Sequence, residues 1–127
     1  MRYLIDTQIL IWLFIDSSKI PKNIDRFLKD TTNEIIVSSI SIWEIAIKIS
    51  IKKLILPFEL KNIIQEIINM NFNILDITSE HLIKVADLPF HHKDPFDRLI
   101  ISQAIIENLP VISSDKNFVY YEIKTVW

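Results

Sequence analysis

Five acids in this chain stand where carboxylates can do chemistry: Asp6, Glu44, Asp94, Asp97 and Asp115. They are far apart in sequence, yet each falls near an expected strand end or helix start. The stretch Asp94-Pro95-Phe96-Asp97 shows the pattern most plainly. Proline is accepted at the first helical position because its missing N–H would have no partner there. Asp94 is therefore expected to cap a helix and Asp97 to sit in its first turn, both near the positive end of the helix dipole. Hard divalent cations such as Mg²⁺ and Mn²⁺ take oxygen ligands, commonly a few carboxylates with water and phosphate oxygens. Carboxylates crowded into one small site repel each other unless a cation offsets their charge. A cation held by them can activate a water, brace a scissile phosphate and stabilise a leaving oxygen.

Each acid also has an ordinary use. Asp6 can cap the helix that follows it, and Asp115 can be a turn residue after Ser114. Glu44 can be the capping-box partner of Ser41, or it can pair with Lys48 one turn on. Spacing alone leaves both uses open. Glu44 tilts toward a ligand role, because Ile42, Trp43, Ile45, Ala46, Ile47 and Ile49 surround it, and a carboxylate amid such surface is costly unless paired or on a metal.

The elements that position these acids follow from hydrophobic periodicity. Tyr3-Leu4-Ile5 is a short apolar run ending at Asp6-Thr7, and Ile9, Leu10, Leu13 and Phe14 then recur at helical spacing. Pro21 opens a second helix with Ile24, Phe27 and Leu28 inward. Glu34 to Val37 reads as a second buried strand, and Ser41 opens a helix to about Lys52. After Pro57 a further amphipathic helix is expected from Phe58 to about Met70. Asn73 to Ile77 is a third strand, and Ser79 to Asp87 a short helix. The helix from Pro95 to about Asn108 precedes a fourth strand at Pro110 to Ser113, and Ile123 to Trp127 gives a small fifth strand. Strands alternating with helices imply an α/β fold: a three-layer α/β/α sandwich with a mainly parallel, about five-stranded sheet. No repeat or linker interrupts residues 1–127, which are expected to form one domain. Ligands in such folds bind at the carboxyl ends of the strands, where the strand order reverses. Asp6 and Asp115 would both lie on that rim.

Composition removes several classes. With 50% hydrophobic and 24% charged residues, disorder is excluded. No apolar run approaches the roughly 18 residues of a membrane span, and an acid at position 6 precedes any signal-like apolar region, so a cytoplasmic protein is expected. Cysteine is absent, which excludes disulfide scaffolds and thiolate metal sites. Glycine is absent too, so neither a P-loop nor a dinucleotide fingerprint is present. The net charge of −2 means that a polyanionic ligand would need a local basic rim or bound cations. A receiver-type phosphoacceptor domain wants paired acids after the first strand and a lysine after the fifth. Here Thr7 follows Asp6 and the chain ends at Trp127. An Asp-x-Asp phosphatase fails at Gln8.

The chain resembles PIN-domain ribonucleases, and more narrowly VapC-type toxins, over nearly its full length. The resemblance is carried by Tyr3-Leu4-Ile5-Asp6-Thr7, Ser41-Ile42-Trp43-Glu44-Ile45-Ala46-Ile47-Lys48, His91-His92-Lys93-Asp94-Pro95-Phe96-Asp97-Arg98, and Ser113-Ser114-Asp115 with the terminal Trp127. It implies a metal-dependent endoribonuclease in which Asp6, Glu44, Asp97 and Asp115 surround Mg²⁺ or Mn²⁺. Asp94 matches an accompanying acid that is either a ligand or a cap. It further implies an RNA substrate, a small antitoxin partner that occludes the acidic pocket, and a homodimer. A PIN-fold module that binds without cutting is the alternative. Two departures stand out: Gln8 replaces a frequent His, and Lys52 stands where many relatives have Gly.

Among the remaining residues, Lys48, Lys93, Arg98 and Lys116 are candidates for a basic rim that grips phosphates. His91 and His92 are expected on solvated surface, and His81 on an amphipathic helix. Trp12, Phe14 and Trp43 are expected in the core or at a partner groove. Thr7 and Ser114 are candidates to hold a water beside the acids.

Overall fold

A strand covered by helices on both sides must be apolar on both faces, and the runs identified above behave so. The computed structural model describes residues 1–127. It contains β1 (Arg2–Ile5), β2 (Glu34–Ser38), β3 (Asn73–Leu75), β4 (Val111–Ile112) and β5 (Thr125–Val126). These pair in the order β3-β2-β1-β4-β5, and every pairing is parallel. Six helices connect them: α1 (Thr7–Ile15), α2 (Lys22–Lys29), α3 (Ser39–Ser50), α4 (Ile63–Asn69), α5 (Ser79–Asp87) and α6 (Pro95–Ile106). None is long and apolar enough to cross a membrane.

Side chains alternate across a strand, and two separate cores result. Ile5, Ile35, Val37 and Ile112 pack with residues of α1, α2 and α4 on one face. Leu4, Ile36 and Val111 pack with α6, Phe118 and Tyr121 on the other. This is the expected three-layer arrangement. From β1 the chain adds β2 and β3 on one side, then returns to place β4 and β5 on the other. The reversal puts a crevice between the carboxyl ends of β1 and β4, where Asp6 and Asp115 follow. The strand order is not the 2-1-3-4-5 of receiver-like folds, so topology also rejects that alternative.

Two local expectations change. The cap of α3 is Ser38, whose Oγ accepts from the Ile40 N–H at 3.0 Å. Strand β2 runs directly into the helix, so Ser41 falls in the first turn and Glu44 in the second. Ser41 is buried instead, its hydroxyl 2.8 Å from that of Thr7, which ties α3 to the start of α1. The helix expected from Phe58 is shorter, a 3-10 turn at Leu60–Asn62 leading into α4.

Without glycine the chain must still end its helices. Lys52, Asn71 and Asn108 take φ of 60°, 61° and 53°, just beyond α3, α4 and α6. Each sits in a Schellman motif. Lys52 N–H donates to Ile49 O and Lys53 N–H to Lys48 O. The same pairings run from Asn71 to Ile68 with Phe72 to Ile67, and from Asn108 to Ile105 with Leu109 to Ala104. Asparagine tolerates the left-handed region better than most residues. Lys52 occupies it with no such help, at the position where the resemblance led one to look for Gly.

Candidate active site

The structure brings all five acids to one cleft of about 560 Å³ at the β1–β4 crevice. Asp6 arrives as the cap of α1, its Oδ1 accepting from Ile9 N–H at 3.0 Å and its Oδ2 from the Ser113 hydroxyl. Ser113 follows β4, so this bond crosses the crevice from one strand end to the next. Asp115 caps a 3-10 turn, accepting from Asn117 N–H at 2.8 Å, and its own N–H donates to Ser113 Oγ at 3.0 Å. Asp94 caps α6, with Oδ1 receiving both Phe96 N–H and Asp97 N–H at 2.9 and 3.1 Å. Pro95 follows it at the first helical position. Asp97 stands in that first turn, as the sequence predicts. Glu44 comes from the second turn of α3.

Burial and mutual repulsion govern these groups. Asp97 is pushed up to about 8, first by desolvation and then by the charges of Asp94, Asp115, Glu44 and Asp6. Asp6, 4% exposed, rises to about 6 because burial outweighs the hydrogen bonds from Ser113 and the backbone of Ile9 and Gln8 that favour its charged form. As the side chains stand, no three carboxylates or histidines converge on one point as an assembled ion site would require. Each carboxylate turns instead to a protein partner. Glu44 Oε2 lies 3.0 Å from Lys48 Nζ, while its buried Oε1 has no hydrogen-bond partner at all.

The cations divide. Lys48 lines the cleft, and so does Lys19, a residue that sequence reasoning passed over because nothing in its spacing linked it to the acids. Lys116 is exposed and does not line it. Arg98, expected at the basic rim, is 6% exposed and points into the protein. Its Nη1 donates to Pro89 O at 2.8 Å and to Tyr121 Oη at 3.2 Å, its Nη2 to Leu88 O at 3.3 Å, and its guanidinium lies 4.4 Å over the Phe90 ring. Donors used this way hold the α5–α6 loop and are not offered to a phosphate.

Of the histidines, His91 is exposed and His81 lies on α5, as expected, whereas His92 is not solvated surface. His92 is 11% exposed in its side chain, with Nε2 3.2 Å from Asp97 Oδ2 and Nδ1 2.7 Å from Tyr121 Oη. His91 packs edge-on to the Tyr121 ring. His81 is fully buried, where it completes a capping box with Thr78 at the start of α5. Thr7 and Ser114 do line the cleft, as does Trp12. Trp43 is 51% exposed and meets Phe96 edge-on at 4.8 Å.

The profile of the PIN domain matches residues 3–124, and the chain belongs to the PIN-domain family. No curated protein matches it in sequence. Its fold is similar to that in the crystal structure of VapBC2 from Rickettsia felis bound to a promoter DNA fragment. The two are 22% identical with a TM-score of 0.70, over 100% of this chain and 99% of that one. DNA-bound VapBC from Salmonella typhimurium is 19% identical with a TM-score of 0.71, over 99% and 97%. FitAcB from Neisseria gonorrhoeae is 17% identical with a TM-score of 0.64, over 100% and 97%. These likenesses are of fold, and structures of toxin–antitoxin complexes are among those it resembles.

Proposed function

We propose that this chain, as one PIN domain, is a Mg²⁺- or Mn²⁺-dependent endoribonuclease and the toxin of a cytoplasmic toxin–antitoxin pair. The observation that carries the reading is the gathering of five carboxylates in one cleft, where neighbouring charge and burial hold Asp97 protonated to about pH 8. Such a cluster is fully ionised near neutral pH only with a counter-charge. The donor set suits a hard cation, being all oxygen, and the orphaned Glu44 Oε1 is a buried acceptor that still lacks a donor or an ion.

Asp6, Glu44, Asp97 and Asp115 would hold the ion, with Asp94 beside them. Bound there, the ion supplies Lewis acidity toward a phosphodiester and lowers the pKa of water. The protein's own residues do the rest. Ser113 fixes Asp6 across the crevice, which couples the ends of β1 and β4, and its Oγ also accepts the Asp115 N–H. Lys48 and Lys19 bring positive charge to an otherwise acidic cleft, which a phosphate must approach. The Thr7–Ser41 hydroxyl bond keeps the helices carrying Asp6 and Glu44 in register. The partner would be a small antitoxin that covers the cleft, and the active form a homodimer.

The test is cleavage of cellular RNA by purified protein with Mg²⁺ or Mn²⁺, against EDTA and against Asp6→Asn and Asp97→Asn. Each variant is expected to lose on the order of 10³-fold in rate, as removal of several kcal/mol of transition-state stabilisation implies. Equal cutting by the variants, or undiminished cutting in EDTA, would show that the carboxylates do not work through a metal.

A further inference from the structure

The loop between α5 and α6 crosses back over the first turn of α6 and sets His92 against Asp97, five residues ahead in the chain. Donor and acceptor types constrain the bonding around it. Arg98 can only donate, so Tyr121 Oη is its acceptor at 3.2 Å. The phenolic proton of Tyr121 is then free for His92 Nδ1 at 2.7 Å, and we read Nδ1 as the acceptor. The ring proton is left on Nε2, which faces Asp97 Oδ2 at 3.2 Å and donates to it. With Asp97 ionised, as a cation ligand is, the opposite tautomer would set an imidazole lone pair against a carboxylate oxygen. Arg98 therefore acts at both ends of the device: it orients Tyr121, and through the carbonyls of Leu88 and Pro89 it anchors the loop that carries His92.

We propose that Arg98, Tyr121 and His92 form a hydrogen-bonded relay that positions the Asp97 carboxylate for its cation, with His92 as the positioning residue. This rests on the reading of Asp97 as a ligand. One oxygen of Asp97 is held by the imidazole, and the other takes no hydrogen bond from the protein. A carboxylate fixed by one oxygen keeps one rotamer, so less freedom is lost when an ion arrives. No other group of the cleft performs this service for Asp97. Asp6, Asp94 and Asp115 are each held by backbone N–H groups at helix or turn starts, whereas Asp97 stands inside the first turn of α6, past the cap position, and takes no such bond. Tyr121 is 23 residues beyond Arg98, in the same core as α6, and reaches the site because β4 and the turn after it bring it back.

The experiment uses the full chain at one pH above about 8, where Asp97 is ionised, with Mn²⁺ as probe. In metal-free wild type, long-range ¹H–¹⁵N correlation of the imidazoles is expected to show His92 as the Nε2–H tautomer, and Tyr121→Phe to lose that preference. By calorimetry, His92→Phe should weaken Mn²⁺ binding by about 10-fold or more. His92→Gln, whose amide offers an N–H near the Nε2 position, should restore most of it. Thermal unfolding checks that each variant is folded. If Tyr121→Phe does not fold, the two His92 variants decide. A Nδ1–H tautomer in wild type, unchanged Mn²⁺ affinity in His92→Phe, or failure of Gln to rescue would overturn the relay while leaving the metal reading intact. Wild type that binds no Mn²⁺ would overturn both.

Discussion

The two ends of the sheet are built to opposite rules. At the carboxyl ends of β1 and β4, five carboxylates share a cleft in which Trp12 is the one apolar wall. At the amino end of β2 lies a second cavity, about 430 Å³, whose floor is Leu13, Leu28, Ile35, Met70 and Phe72. Its rim acids are already satisfied: Asp25 pairs with Lys29 at 2.8 Å, and Asp30 takes the Thr32 N–H at 2.9 Å. One end stores repulsion that protons or a counter-charge relieve, and the other buries apolar surface. Stability and chemistry are therefore separated along the strand direction, and substitutions should separate them too.

The largest effect on folding should come from the apolar end. Leu28→Ala is expected to cost about 2–5 kcal/mol in urea unfolding, with RNA cleavage per folded molecule unchanged. A parallel loss of specific activity would mean that the two ends are coupled after all.

A smaller effect should come from pH at the acidic end. Asp6 and Asp97 bind a proton more tightly in the folded chain than their ordinary value of 3.8 allows when unfolded. Their contribution to stability is therefore complete below that value. It is lost as pH rises through about 6 for Asp6 and about 8 for Asp97. In EDTA the melting temperature should fall between pH 5 and 9. Asp97→Asn should flatten the upper part of the fall, and Mn²⁺ should raise the melting temperature more at pH 8 than at pH 6, because the cation competes with those protons. A metal-free melting temperature that climbs from pH 6 to 9 would contradict the repulsion.

The smallest effect is expected at Asp94. Asparagine caps a helix about as well as aspartate, so Asp94→Asn should stay within about 0.5 kcal/mol of wild type. If Asp94 is mainly a cap, Mn²⁺ affinity should also change little. A loss comparable with that of Asp97→Asn would make it a ligand.

How legible this was in the sequence depended on the range of the interaction. Strand β1, the Asp94–Pro95 helix start and the Asp6 cap rest on neighbours within one turn, and their local chemistry located them. Ser41 misled because its spacing to Glu44 satisfies a capping box, while β2 continues into Ser38 and starts the helix three residues sooner. Arg98 and His92 were misjudged because their partners are not local. Tyr121 lies on another element, and only the return of β4 beside β1 shows that it binds both. Nothing in the spacing of His91-His92 distinguishes one imidazole facing a carboxylate from two facing water.

The left-handed Lys52 has a consequence for the chain as a whole. A polypeptide without glycine has fewer unfolded conformations to give up, since glycine loses the most backbone freedom on folding. That gain is partly returned at Lys52, Asn71 and Asn108, where side chains enter a region that glycine occupies freely. The three helix ends are thus places where the folded and unfolded states pull sequence choice in opposite directions. At Lys52, the only one of the three not filled by asparagine, the conflict is sharpest.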